Sequence, residues 1–188
     1  MQGRRYVVYD VFTDTALAGN PLAVVLDAEG LDLAGMQAIA REFNLSESTF
    51  VLPPEDSRHK ARVRIFTPVH EMPFAGHPTV GTAIALAELE GGEGPALFVL
   101  EENIGPVRCA VTRDGGTGFA EFDLAVLPAA LDLAADKAAI GAALGLGPHE
   151  IGFENHTVGL WSAGVPYVTV PVANLDVAAR AKLHNELW

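Results

Sequence analysis

At 188 residues, about half of them apolar, the chain can bury either one large core or two small ones, and its composition is that of an ordinary globular protein. A formal net charge of −12, from 24 acidic and 12 basic side chains, repels phosphate backbones and anionic headgroups and so argues against nucleic acid and membrane surfaces as partners. The single cysteine, Cys109, excludes an internal disulfide framework, a cysteine-rich metal site and two-thiol racemase chemistry.

The basic Arg4-Arg5 pair leads into Tyr6-Val7-Val8-Tyr9-Asp10 without an apolar signal core, and no stretch approaches membrane-spanning length. A reducing cytoplasm is therefore the expected compartment. Tyr6 to Phe12 is rich in β-branched and aromatic residues and predicts a strand. Gly19-Asn20-Pro21 predicts a turn, and Leu22 to Leu26 a second strand. Asp32 is a candidate N-cap, followed at helical spacing by Leu33, Met36, Ala40 and Phe43, with the helix stopping near Asn44. Ser48 to Leu52 reads as a strand closed by Pro53-Pro54, Glu55 to Lys60 as a surface loop, and Arg62 to Phe66 as a half-buried strand.

A second helix is expected to open at His77 or Pro78, with Val80, Ala83, Ile84 and Ala87 as its buried stripe and Gly91-Gly92 as its end. Three strands are expected near residues 97–100, 107–112 and 119–122, with turns at Gly105-Pro106 and Asp114-Gly115-Gly116. Beyond Pro128 the pattern predicts a helix over 134–144 capped by Gly145, strands over 156–161 and 167–170, and a helix from Asp176. Strands grouped around few helices define an α+β class rather than a regular βαβ repeat. We expect two units, residues 1–125 and 126–188, the second being the incomplete start of a further domain.

Two segments can carry chemistry. In Asn44-Leu45-Ser46-Glu47-Ser48-Thr49-Phe50-Val51 a carboxylate sits between a helix end and a strand, where partial burial is expected to raise the pKa of Glu47 toward the range useful for moving a proton. A solvated loop glutamate, or a turn cap, explains the same residues and is the more economical account of the pattern alone. In Phe66-Thr67-Pro68 through Phe74-Ala75-Gly76-His77-Pro78-Thr79, a strand end and a tight turn lead into a helix start. Unpaired amides around Gly76 and His77 would suit a ligand carboxylate, with His77 as a titratable neighbour. A histidine that merely caps or packs is the competing account.

Other signals are weak. The histidines form no H-E-x-x-H pair, so no metal site is expected. Gly115-Gly116-Thr117-Gly118 lacks a P-loop lysine and reads as a hairpin turn, and no G-x-S-x-G elbow is present. Cys109, in an expected strand, reads as buried and inert.

Together these segments resemble the PhzF family of phenazine-biosynthesis isomerases, which has the diaminopimelate-epimerase-like fold. The matching stretches are Asp10-Val11-Phe12-Thr13, Gly19 to Val25, Met36 to Glu42, Asn44 to Val51, and Arg64 through Thr79, with a looser match to Ser162-Ala163-Gly164-Val165-Pro166. The resemblance implies a mixed sheet curled around a central helix, a second similar domain, and a homodimer. It implies proton transfer on a small carboxylate-bearing substrate without metal, pyridoxal phosphate or nicotinamide. Glu47 then falls on the catalytic proton shuttle, and Gly76 and His77 on the pair that holds the substrate. Phe74-Ala75-Gly76-His77 stands where diaminopimelate epimerases place a cysteine. The family's later Glu-Asp-Pro-Ala-Thr-Gly-Ser-type motif, which supplies an aspartate, has no equivalent in these residues. A ligand-binding or interaction module without catalysis is therefore the alternative expectation.

Overall fold

The computed structural model describes residues 3–91, 94–114, 117–134 and 136–188. The chain divides into two compact units, Met1–Val126 and Leu127–Trp188.

In the first unit, strands β1 (Tyr6–Val11) and β2 (Asn20–Val25) pair antiparallel, with Tyr9 opposite Leu22. Gly19 closes the connection between them. A Cβ there would lie 2.6 Å from the Val11 carbonyl oxygen, so no larger residue fits. Helix α1 (Leu33–Phe43) starts where Asp32 accepts a hydrogen bond from the Gly35 amide at 2.8 Å, and ends at Asn44 in the left-handed region, φ 52°. Met36 and Ala40 bury against Val25, Phe50 and Phe66 as the spacing predicts. Leu33, expected in the same stripe, is exposed. Long helical side chains lean toward the N-terminus, and from the first position Leu33 projects past the helix end.

Strand β3 (Glu47–Leu52) runs parallel to β2, with Glu47 opposite Leu22, and antiparallel to β4 (Ala61–Phe66). The start of β4 pairs in parallel with β6 (Ala96–Glu102), and its end pairs antiparallel with the short β5 (Glu71–Met72), which the sequence pattern did not predict. Strands β7 (Gly105–Asp114) and β8 (Thr117–Phe122) complete the order β1-β2-β3-β4-β6-β7-β8. The expected turn at Gly105-Pro106 is instead the beginning of β7. Pro106 faces Glu101 across the β6–β7 ladder, and the chain reverses at Asn103-Ile104. Proline is tolerated at such a strand end, where its missing donor costs little. Gly115-Gly116, the expected hairpin turn, and Gly92 lie outside the described residues.

Helix α2 (Gly76–Glu90) packs on β1, β2 and β3 and also on β7 and β8, strands from opposite ends of the sheet order. A sheet that touches one helix with both of its ends is curled around it. Burial accordingly runs around the helix rather than along the expected single stripe. Thr79, Gly81, Thr82, Ala83, Ala85, Leu86 and Ala87 are all buried, whereas Val80 and Ile84 are only partly so. Small residues let strands close on every face. At Gly81 a Cβ would lie 2.6 Å from Leu22 Cδ2 and 2.9 Å from Val11 Cγ2.

Two buried contacts fix β3 against its surroundings. Phe50 and Phe66 meet edge to face with ring centroids 5.3 Å apart, an arrangement worth about 1 kcal/mol beyond the area it buries. The hydroxyls of Thr49 on β3 and Thr82 on α2 lie 2.8 Å apart, both shut off from water, so each satisfies the other.

In the second unit, β9 (Ala129–Leu131), β10 (Gly159–Ser162) and β11 (Pro166–Thr169) form an antiparallel sheet in the order β11-β10-β9. Helix α3 (Lys137–Leu144) is capped by Asp136 and ends at Gly145 with φ 66°; α4 (Leu175–Arg180) is capped by Asn174. The α3 start falls later than expected because the Asp136 side chain takes the Ala138 amide. Ala143, Leu146, Ile151 and Val177 are its buried apolar residues. Among the described residues, no helix is long and apolar enough to cross a membrane.

Candidate active site

Glu47 is the first residue of β3, at the mouth of the parallel β2–β3 pair. The turn before it is tied down where the Ser46 hydroxyl meets Asn20 Oδ1 at 2.9 Å, so two segments far apart in sequence are joined beside the carboxylate. His77 is the second residue of α2. The Thr49–Thr82 contact holds the strand against the helix, and the two candidate side chains meet: His77 Nδ1 lies 3.1 Å from Glu47 Oε2. His77 is buried, at 7 % exposure, and the Glu47 side chain retains 18 %.

The contact fixes the imidazole's orientation. Nδ1 faces the carboxylate, and Nε2 is buried with no hydrogen-bond partner among the described residues. The Nδ1–H at this position donates to the Glu47 carboxylate. The Phe12 ring, 6.4 Å from His77 between centroids, closes the same region, with its backbone in the left-handed conformation at φ 65°.

The electrostatics depart from expectation. The His77 hydrogen bond holds the Glu47 carboxyl below its ordinary value; burial pulls the other way and is outweighed, with a smaller contribution from Ser46. Glu47 therefore does not gain the raised pKa expected from burial alone, because its partner stabilises the charged form. It is a carboxylate at neutral pH.

The start of α2 carries no side-chain cap. Ala75 is the N-cap, extended at φ −155°, and offers no side-chain cap; the Gly76 and His77 amides thus lack the side-chain acceptor that a Ser, Thr, Asp or Asn would supply. Pro78 in the first turn has no amide to satisfy. Packing does not require glycine at position 76, since a Cβ there would meet the Phe122 ring only at an ordinary 3.6 Å.

Glu47, Gly76 and His77 are thus brought together. Sequence reasoning missed Ser46–Asn20 and Thr49–Thr82, whose partners are far apart in the chain and carry no local pattern. It also missed Glu102, the one buried acidic side chain among the described residues. Cys109 is buried, and burial, with the nearby Glu102 and Asp123 charges, pushes its thiol up to about 12, as expected of an inert cysteine.

A mixed sheet wrapped on a central helix, with a carboxylate–imidazole pair at the helix mouth, defines an epimerase-like α+β protein. The chain belongs to the phenazine biosynthesis-like (PhzC-PhzF) family, whose model matches residues 9–186. It is 71 % identical over 188 residues to an uncharacterised isomerase of Mesorhizobium japonicum, covering all of this chain and 62 % of that protein. It is 54 % identical over 113 residues to trans-2,3-dihydro-3-hydroxyanthranilate isomerase of Pseudomonas aeruginosa, covering 60 % of this chain and 39 % of that one. The solved structure of a predicted epimerase from Pseudomonas aeruginosa superposes with a TM-score of 0.87 at 36 % identity, over 98 % of this chain and 64 % of the other. The chain spans less than two thirds of the length of these relatives. The α+β, diaminopimelate-epimerase-like fold implied by the resemblance is the fold it adopts.

Proposed function

We propose that this chain carries the proton-moving residues of a PhzF-type isomerase acting on a small carboxylate-bearing metabolite, with Glu47 as the base. The observation that carries the reading is the 3.1 Å contact between His77 Nδ1 and Glu47 Oε2 beside an uncapped helix start. A group that takes a proton at neutral pH must already be ionised there, and the His77 contact keeps Glu47 so. In the reaction a substrate C–H bond breaks, its proton passes to Glu47, and its electron pair is delocalised into the substrate. The neutral Glu47 acid then returns the proton to a carbon of the same molecule. Atoms and charge balance without an added oxidant or reductant.

The substrate's carboxylate is received by the Gly76 and His77 amides, favoured by the positive end of α2. With no packing need for glycine at position 76, the small residue serves close approach of a ligand to the backbone.

The first probe is trans-2,3-dihydro-3-hydroxyanthranilate, the compound in the Pseudomonas relative's name. In deuterated water, the chain is expected to incorporate solvent deuterium into the bound probe, and Glu47→Gln to lose at least about a hundredfold of that rate. Undiminished exchange in Glu47→Gln contradicts the assignment. Binding without exchange in the unaltered chain would identify a ligand-holding module instead.

A further inference from the structure

We infer that Glu102 is a positioning residue for the Glu47–His77 pair, a buried carboxyl that sets the first turn of α2 through the Thr79 hydroxyl and the Ala75 carbonyl. Its functional meaning rests on the reading of Glu47 and His77 given above; its geometry does not.

Glu102 ends β6 at 7 % exposure, two residues after the fully buried Leu100 and on the same inward face. Its Oε1 lies 2.7 Å from Thr79 Oγ1, and Thr79 Oγ1 lies 2.8 Å from the Ala75 carbonyl oxygen. Oε2 is buried and has no partner among the described residues. Ala75 is the N-cap residue of α2, next to Gly76 and His77.

The Thr79 hydroxyl has one proton and two acceptors facing it. If Glu102 is the neutral acid, it donates to Thr79 and the Thr79 proton stays on Ala75, so both contacts are satisfied. Once Glu102 ionises, the two oxygens compete for one proton. The charged acceptor makes the stronger bond, and the Ala75 carbonyl gives up its side-chain donor. The state of Glu102 is thereby written into the residue that opens the helix.

Among the described residues, no cation offsets a charge at this position. Glu71 on β5 is engaged with Arg64 and Asn103, Glu101 on β6 with His59, Asp123 after β8 with Arg108, and His77 on α2 with Glu47. On β7 the neighbouring titratable group is the Cys109 thiol, which stays protonated. Burial pushes the Glu102 carboxyl up to about 7, only partly opposed by Thr79, so the change of state falls near neutrality.

The test is a pH titration by NMR of the whole chain, following the Glu102 carboxyl carbon and the Gly76 amide nitrogen, which is bonded to the Ala75 carbonyl carbon. The expected result is a Glu102 midpoint near pH 7 and an inflection of the Gly76 signal at the same pH. Glu102→Gln should abolish that inflection. Thr79→Val should keep the Glu102 titration but remove its echo at Gly76. A Glu102 midpoint near the ordinary 4.5, or a Gly76 inflection at the Glu102 midpoint that survives in either variant, overturns the inference. The unaltered chain alone decides the first point, so a variant that fails to fold does not shelter the proposal. None of these readouts needs turnover; failure of Glu47 as the base, read from deuterium exchange, is a separate result.

Discussion

Replacing Glu102 by Gln is expected to change how stability depends on pH, with a magnitude set by its burial. An unfolded chain releases this proton near the ordinary 4.5, whereas the folded protein holds it to about 7. The folded state binds the proton more tightly, so the group imposes no cost below about 4.5. Its cost grows as pH rises through that interval and is fully present above 7. Two and a half units at 1.36 kcal/mol per unit amount to about 3 kcal/mol. Gln keeps the shape and cannot ionise. Glu101, Glu71 and Glu47 have lowered pKa values and act with the opposite sign, losing stability as pH falls below 4.5. The difference between parent and variant cancels them. Urea unfolding at pH 5 and pH 8 should therefore show Glu102→Gln gaining about 2.5 kcal/mol on the parent between the two, the first half unit of the interval lying below pH 5. Parallel curves would refute the claim that this carboxyl is buried without a counter-charge.

Gly81→Val should destabilise the first unit by about 2 kcal/mol in the same assay, since Leu22 and Val11 already occupy the space a side chain needs; an unchanged midpoint would mean that the helix does not sit this close to β1 and β2. Asp32→Ala should cost about 1 kcal/mol through loss of the bond to the Gly35 amide, with Asp32→Asn recovering most of it. His77→Phe keeps a ring and removes the Nδ1 contact. The Glu47 carboxyl carbon should then titrate at higher pH than in the parent, and an unmoved midpoint would show that His77 does not hold it down.

Much of this was legible from the chain. Asp32 followed by residues at helical spacing marked both ends of α1, and the position of Glu47 before a β-branched run placed it at a strand mouth. The segments around Glu47 and Gly76-His77 could be singled out because helix starts and strand starts leave local marks. The Glu47–His77 contact itself could not be read, because it depends on the curl of the sheet, which brings β3 to α2 across intervening strands. The wrong direction for the Glu47 pKa follows from this: burial was anticipated and the partner was not. Helix α2 misled for a related reason. A single buried stripe suits a surface helix, but a helix enclosed by strands is buried on all faces, and its small residues, not its large ones, are the signal. Glu102 was within reach. Period-two alternation from Leu100 points it inward, yet beside Glu101 it reads as an ordinary acidic strand end.

The central claim is that His77 keeps Glu47 ionised so that it can take the substrate's proton. The most direct measurement is the rate of solvent-deuterium incorporation into the bound probe between pH 3 and pH 7. The account predicts a rate that reaches half its plateau below pH 4.5 and no longer rises between pH 5 and pH 6, because the base is already charged there. A rate that climbs only through pH 6 to 7 would belong to a carboxyl raised by burial or to another group, and would contradict it.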